Sequence, residues 1–217
     1  MKKLGKKRKL RPAIMMLCFL LLFTTMAQPV EAKKFDAAAA KKKVTVTYKK
    51  LPNGILAIYK NKNSAALKLT ATIRFRDGDK KELSKLTQKN LCLAGKSTAA
   101  FFFQAPRDEY GNVVSYSSYK ASFSIAKSKY KSSAKKISIS SELETIEGKF
   151  AAVNLGTKTL SNIHATIVFY DGDGNILGCS TKYLSCYKKN SIEQFSISYV
   201  GESWQPSKAK VYIDWAY

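Results

Sequence analysis

The chain has 217 residues, of which 38 are Lys or Arg, 15 are Asp or Glu and one is His, for a formal net charge of +23. That excess of cations attracts polyanions such as teichoic acids, anionic lipid headgroups or nucleic acid. The single histidine, His164, is the one residue on which any histidine-dependent mechanism would have to rest, and no second pair of zinc ligands accompanies it.

Residues 1–12 carry seven basic side chains, and residues 13–27 form an apolar run with Leu17, Phe19, Leu20, Leu21, Leu22 and Phe23 at its centre. A cationic head, a short apolar stretch and a small-residue site are the marks of an export signal. Thr25-Met26-Ala27 and Val30-Glu31-Ala32 both offer such a site, and Val and Ala favour cleavage after Ala32. The apolar run falls short of the roughly 20 residues a membrane span needs, so cleavage is expected, with an uncleaved anchor as the alternative. Cys18 lies inside that run, where it could not become a lipid-modified first residue. No second apolar span and no sortase-type signal follow, so the mature chain is expected to lack a transmembrane span and to be secreted or cell-surface associated. Removing the seven bases and one acid of residues 1–32 leaves 31 bases and 14 acids, a net charge of +17.

Residues 33–43 are Lys/Ala-rich, with Ala37 to Ala40 flanked by lysines, and read as a spacer, with a short helix as the alternative. Beyond them the chain repeats itself. A shift of 94 positions carries Ala71-Thr72-Ile73-Arg74-Phe75-Arg76-Asp77-Gly78-Asp79 onto Ala165-Thr166-Ile167-Val168-Phe169-Tyr170-Asp171-Gly172-Asp173. The same shift carries Gly54 to Gly148, Ala57 to Ala151, Cys92 to Cys186, Ser97 to Ser191 and Phe101 to Phe195, with no gap. A register held this long marks a tandem duplication. The copies run over residues 44–126 and 135–217, joined by a polar linker at 127–134, and each is long enough for one modest core.

Within each copy the apolar period is two. Leu69, Ala71, Ile73 and Phe75 alternate with Thr70, Thr72, Arg74 and Arg76; Ile163, Ala165, Ile167 and Phe169 alternate with His164, Thr166, Val168 and Tyr170. This is the pattern of a strand with one face toward a core, and the Asp-Gly-Asp after each should turn it into a hairpin. Further strands are predicted at 44–48, 55–60, 98–104 and 119–125, and in the second copy at 136–140, 149–154, 192–200 and 208–215. No helical period stands out in the mature chain. The expected architecture is all-β: two tandem immunoglobulin-like β-sandwich domains after an N-terminal signal peptide.

The run Ile167-Val168-Phe169-Tyr170-Asp171-Gly172-Asp173-Gly174-Asn175-Ile176-Leu177 resembles the FxLYD domain, in which an alternating strand ends in Phe-Tyr-Asp before a Gly turn and an apolar strand. Residues 184–195, and 91–101 in the first copy, fit the later part of that pattern. The first copy departs from it with Arg76 in place of the tyrosine and Lys80 in place of the turn glycine. The resemblance implies a non-catalytic module of an exported bacterial protein, with no shared active site and no cofactor.

The residues that carry chemistry elsewhere have plain structural readings here. His164 aligns with Thr70 and belongs to a strand surface, partly exposed, with no assignable Ser nucleophile or orienting carboxylate. Asp171 to Asn175 opens like a calcium loop, but Lys182 stands where the twelfth, bidentate Glu should be, so a hairpin turn is expected and no metal site is assigned. Glu142, Glu144 and Glu147 crowd one acidic turn instead of flanking a cleft. Beyond the signal there are three cysteines, Cys92, Cys179 and Cys186, an odd number that does not form a disulfide framework. Cys92 and Cys186 match each other across the repeat, which points to a shared packing role, and a Cys179–Cys186 bridge or a free thiol are both open. Tyr110, Tyr116, Tyr119, Trp204, Trp215 and Tyr217 fall toward the ends of the copies. They plug the sandwich ends, or else Tyr110, Tyr119, Trp204 and Trp215 receive a partner. The expectation is an exported protein without enzymatic activity that binds anionic polymers or a surface protein at the cell envelope, with no nucleic acid as partner. The alternative is a module that takes a partner chain at a strand edge or at its aromatic ends, and a more remote one is an enzyme with an unrecognised site.

Overall fold

Alternation of apolar and polar side chains places strands wherever one face can be buried. A computed structural model, which describes residues 35–129, 132–199 and 205–216, shows them to be antiparallel throughout. The first half contains β1 (Val44–Leu51), β2 (Gly54–Asn61), β3 (Leu67–Arg76), β4 (Glu82–Leu93), β5 (Ser97–Gln104) and β6 (Ser118–Lys127). The second contains β7 (Ile137–Leu143), β8 (Glu147–Asn154), β9 (Ile163–Tyr170), β10 (Ile176–Tyr183), β11 (Ile192–Ser198) and β12 (Lys208–Ala216). Each half makes two three-stranded sheets with the same topology: β1-β2-β5 faces β4-β3-β6, and β11-β8-β7 faces β10-β9-β12. The fold is the expected pair of tandem, immunoglobulin-like β-sandwiches. The predicted export signal, residues 1–32, lies outside the described residues.

The inward rows are those the alternation marks. Leu69, Ala71, Ile73 and Phe75 are sealed from solvent against Ile55, Ala57, Tyr59, Phe101 and Phe103. In the second sandwich Ile163, Ala165, Ile167 and Phe169 pack with Phe150, Ala152, Leu184 and Tyr199.

Residues 33–43 depart from the spacer reading. Ala37–Lys42 is a helix, α1, capped by Asp36, whose Oδ1 accepts from the Ala39 N–H at 3.0 Å. Ala40 is buried, its carbonyl accepts from Asn63 Nδ2 at 3.0 Å, and Lys41 Nζ lies 4.7 Å from the Phe123 ring centre on β6. Ala40 is the buried residue of the helix, while Ala37, Ala38 and Ala39 are exposed.

The gapless repeat also needs correction. The 94-residue shift holds from β3 to β9 and through the hairpins that follow: the bulge between Glu82 and Ser84 recurs between Ile176 and Gly178. It fails between β2 and β8. Asn61 and Asn154 are the equivalent residues there, 93 apart, and Gly54 and Gly148 are not. Both asparagines are buried at the end of an inner strand. Asn61 Nδ2 donates to the carbonyls of Ala65, Leu93 and Ala94 at 3.0–3.2 Å, and its Oδ1 accepts from the Asn63 N–H. Asn154 Nδ2 donates to Tyr187 at 2.8 Å and Lys158 at 3.4 Å, and its Oδ1 accepts from the Gly156 N–H. Each satisfies carbonyls that the ladder leaves over where the chain crosses between sheets.

The two cysteines matched by the shift part company for a similar reason. A second bulge in β4, with Asn90 at φ 63°, adds a residue before Leu91 pairs with Leu69. Cys92 therefore pairs with Lys68 and turns away from the row of Leu91 and Leu93, while Cys186 sits in the core of the second sandwich. They share burial but not a packing role.

The face opposite the core row of β9 is not a solvent face. Thr166 and Val168 are 0% exposed, and Val168, Cys179 and Tyr212 pack with Leu51, Leu56 and Ala100 of the first half. Ile58, Phe102, Tyr170 and Ile176 border the contact, and Thr166 Oγ1 donates to the Ala100 carbonyl at 2.7 Å. The central strands β2 and β9 of sheets β1-β2-β5 and β10-β9-β12 are thus largely buried on both sides, and the four sheets stack as layers in one compact unit, Asp36–Tyr217.

Candidate polyanion-binding face

The aromatic candidates divide. Tyr116 plugs an end of the first sandwich: it is buried, its ring meets Phe75 at 4.8 Å, and its hydroxyl donates to the carbonyls of Leu51 and Gly54 at 3.1 Å each. Tyr199 repeats the device against Phe169, donating to the carbonyls of Glu144 and Glu147. Tyr119 faces inward opposite Phe75, its ring 6.1 Å from Tyr48. Tyr110 alone stands out, 82% exposed at a turn tip. Trp204 and Tyr217 lie outside the described residues, and Trp215 is placed only as a strand position paired with His164. The structure does not bring Tyr110 and Tyr119 together.

The calcium-like segment is a five-residue turn that uses its own carboxylate. Asp171 Oδ1 accepts from the N–H of Asp173 and Asn175, its Oδ2 from Asn175 Nδ2, and Gly174 adopts φ 85°. Asp108 builds the same turn under Tyr110, with Gly111 at φ 84°, and Asp77 builds it with Lys80 at φ 64°. Hydrogen bonds from Asn175 hold the Asp171 carboxyl below its usual range, and those from Asn112 do so for Asp108. Glu144 and Glu147 meet Lys149 on one exposed corner.

His164 has a carboxylate that the sequence did not reveal. Asp214, buried on β12, places its two oxygens 2.9 and 2.7 Å from His164 Nδ1. Asp214 is itself the extra residue of a bulge in β12, between Ile213 opposite Ala165 and Trp215 opposite His164, and such a bulge has no signature in spacing. The Tyr183 ring covers the imidazole edge-on at 4.7 Å. The three cysteines are free thiols and buried, so Cys179 and Cys186 are not bridged. Burial raises the thiol of Cys179 to about 12.

The largest departure from the sequence reading is the arrangement of cations. On the outward face of β4-β3-β6, cross-strand partners line up as Lys85–Arg74–Lys120, then Thr87–Thr72–Ser122, with Thr70 beside Ser124 below. Lys68, Arg76 and Lys89 extend the cationic field. The acid on this face, Glu82, meets Arg74 Nη1 at 2.6 Å. Lys85 and Lys120 are exposed and, among the described residues, have no carboxylate within ion-pair distance. The corresponding rows in the second sandwich read Cys179–Val168–Lys210 and Thr181–Thr166–Tyr212. Val168, Cys179, Thr166 and Tyr212 are buried between the sandwiches, with Lys210 and Thr181 exposed at the rim, whereas the duplicate face carries Arg74, Lys85 and Lys120 in the open.

No protein-family model matches the chain, and no curated protein matches it. Among solved structures, red sea bream transglutaminase is 10% identical with a TM-score of 0.28, covering 85% of this chain and 32% of that one. A glycosyl hydrolase family 2 member from Bacteroides cellulosilyticus is 6% identical with a TM-score of 0.21, covering 74% and 22%. A carbohydrate-binding module of the β-sandwich superfamily is 11% identical with a TM-score of 0.15, covering 80% and 96%. The chain spans about a third of the transglutaminase and about a fifth of the hydrolase. Likeness at this level transfers no residue role. Among the described residues no helix is long and apolar enough to cross a membrane.

Proposed function

We infer that this is an exported, non-catalytic binding protein of the bacterial cell envelope, in which two FxLYD-like sandwiches present cations to anionic envelope polymers. The observation that carries the reading is the divergence of the duplicated faces. The second copy has Val168 and Cys179 where the first has Arg74 and Lys85, and only the apolar version is covered. Cations kept in the open on a flat sheet attract a polyanion at the cost of mutual repulsion. The leading segment of residues 1–32 supports export, and the +17 charge of the remainder supports an anionic partner. Tyr110, at 82% exposure on a loop, favours a second reading in which a partner chain is received there.

Purified protein comprising residues 33–217, mixed with isolated envelope and sedimented across a salt series, tests both. Retention at low salt that fades steadily as salt rises is the expected result. Protein that stays in the supernatant at low salt would overturn the polyanion reading. Retention that survives high salt and is lost in Tyr110→Ala would favour the partner chain.

A further inference from the structure

We propose that the row Lys85–Arg74–Lys120, with the hydroxyl row Thr87–Thr72–Ser122 beneath it, is a binding site for a linear phosphodiester polymer. The proposal rests on the polyanion reading above and assigns its site and ligand class.

The row is unusual for what it omits. Residues directly opposite each other in an antiparallel sheet have Cβ atoms roughly 4.5–5.5 Å apart, and like charges in such pairs repel. Arg74 has Lys85 on one side and Lys120 on the other, both like-charged. Glu82 relieves Arg74 on one nitrogen, leaving the two lysines without a counterion among the described residues. The second sandwich shows that the same strands fold with Cys179 and Val168 at two of the three positions. Arg74 and Lys85 are therefore not a requirement of the fold, and an anion bound across the row would remove the repulsion among the three cations.

Phosphate suits the row in shape and donors. The planar guanidinium of Arg74 presents paired N–H donors to phosphate oxygens, and the flanking ammonium groups neutralise its charge without demanding one orientation. Below the row, Thr72 Oγ1 and Thr87 Oγ1 lie 3.0 Å apart and can turn their hydroxyls to the next oxygens along the chain. Along β3 the pleat brings same-face positions about 7 Å apart, so Arg76, Arg74, Thr72, Thr70 and Lys68 form a track for an extended ligand. Stacking on bases is not provided for, because the aromatic side chains of β3 and β6, Phe75, Tyr119 and Phe123, all turn inward. Nor does the row carry an apolar side chain to enter a bilayer.

The test compares two doubly substituted proteins of equal charge, Lys85→Gln/Lys120→Gln and Lys188→Gln/Lys189→Gln, the latter on an exposed loop of the second sandwich. Two measurements are made on residues 33–217: affinity for soluble poly(glycerol phosphate) at fixed salt, and the thermal midpoint without ligand. The expected result is at least a tenfold loss of affinity for Lys85→Gln/Lys120→Gln, with its midpoint raised by about 2 °C or more as repulsion is relieved. The control pair should lose less than threefold and keep its midpoint. If both pairs lose affinity equally, the polymer responds to total charge and the site assignment falls while the polyanion reading stands. If the unsubstituted protein binds no poly(glycerol phosphate) but binds vesicles containing anionic lipid, the phosphodiester polymer is the wrong ligand. If it binds neither, both readings fall together.

Discussion

Cys179 shows how one side chain reports on its surroundings. It sits on β10 among Leu56, Ala100 and Val168, and burial raises its thiol from 9.0 to about 12. A thiol whose folded value lies above its unfolded value gives stability that is whole below the unfolded value and is lost as pH climbs toward the folded one. The protein should therefore weaken between pH 9 and about 12 by more than Cys179→Val, which has no thiol to ionise. Chemical unfolding of the two proteins at pH 8 and pH 10.5 measures the difference, and parallel losses would show that the thiol is not the cause. Tyr59 and Tyr170 are also raised, mainly by burial, and remain in both proteins, so their contributions cancel in the comparison. At pH 7 the same burial keeps Cys179 a thiol, which makes it a poor nucleophile toward disulfide reagents.

Among the elements, the two hairpins β1-β2 and β7-β8 are each fastened by a tyrosine from far along the chain. Tyr116 lies more than 60 residues from the carbonyls it binds, and Tyr199 more than 50 from its own. Tyr116→Phe keeps the ring against Phe75 and removes both bonds, leaving the Leu51 and Gly54 carbonyls without this partner. The expected cost is about 1–3 kcal/mol in denaturant unfolding, and a change under 0.5 kcal/mol would mean that water replaces the hydroxyl without loss. This pair also shows where sequence reading stops. The strands of the core were legible because period-two alternation is a property of neighbours, and β3 and β9 carry it without interruption. The return strand β4 was not marked out, because its inward positions Ser84 and Gln88 are polar and alternation gives no signal. Tyr116 and Tyr199 escaped a fixed shift because they are 83 residues apart: Tyr116 stands just before β6, whereas Tyr199 directly follows β11. Lys85, Arg74 and Lys120 look scattered along the chain; only the pairing register of three strands brings them into one row. His164 and Asp214 meet through a bulge that leaves no trace in spacing.

For the whole molecule, duplication creates a problem of closure. The contact between sheets β1-β2-β5 and β10-β9-β12 joins unlike faces of two like domains, and a contact of that kind can in principle be repeated without end. The equivalent face of the first sandwich carries Lys85 and Arg74 where the second carries Cys179 and Val168, with Lys120 and Lys210 alike at the third position, so charge opposes a further contact of the same kind. Transplanting the cation tests this logic. Val168→Arg puts the residue found at position 74 into a site that is 0% exposed, packed with Leu51, Leu56, Ala100, Cys179 and Tyr212, none of them a carboxylate. An uncompensated charge in such a place costs about 3–5 kcal/mol, while the inward row of Ile163, Ala165, Ile167 and Phe169 is untouched. The sandwiches should then part without unfolding. The radius of gyration from small-angle scattering should rise, and thermal unfolding should resolve into two transitions where the unsubstituted protein shows one. A single transition with unchanged scattering would mean that the interface absorbs a guanidinium, and that charge at this face does not decide whether the domains hold together.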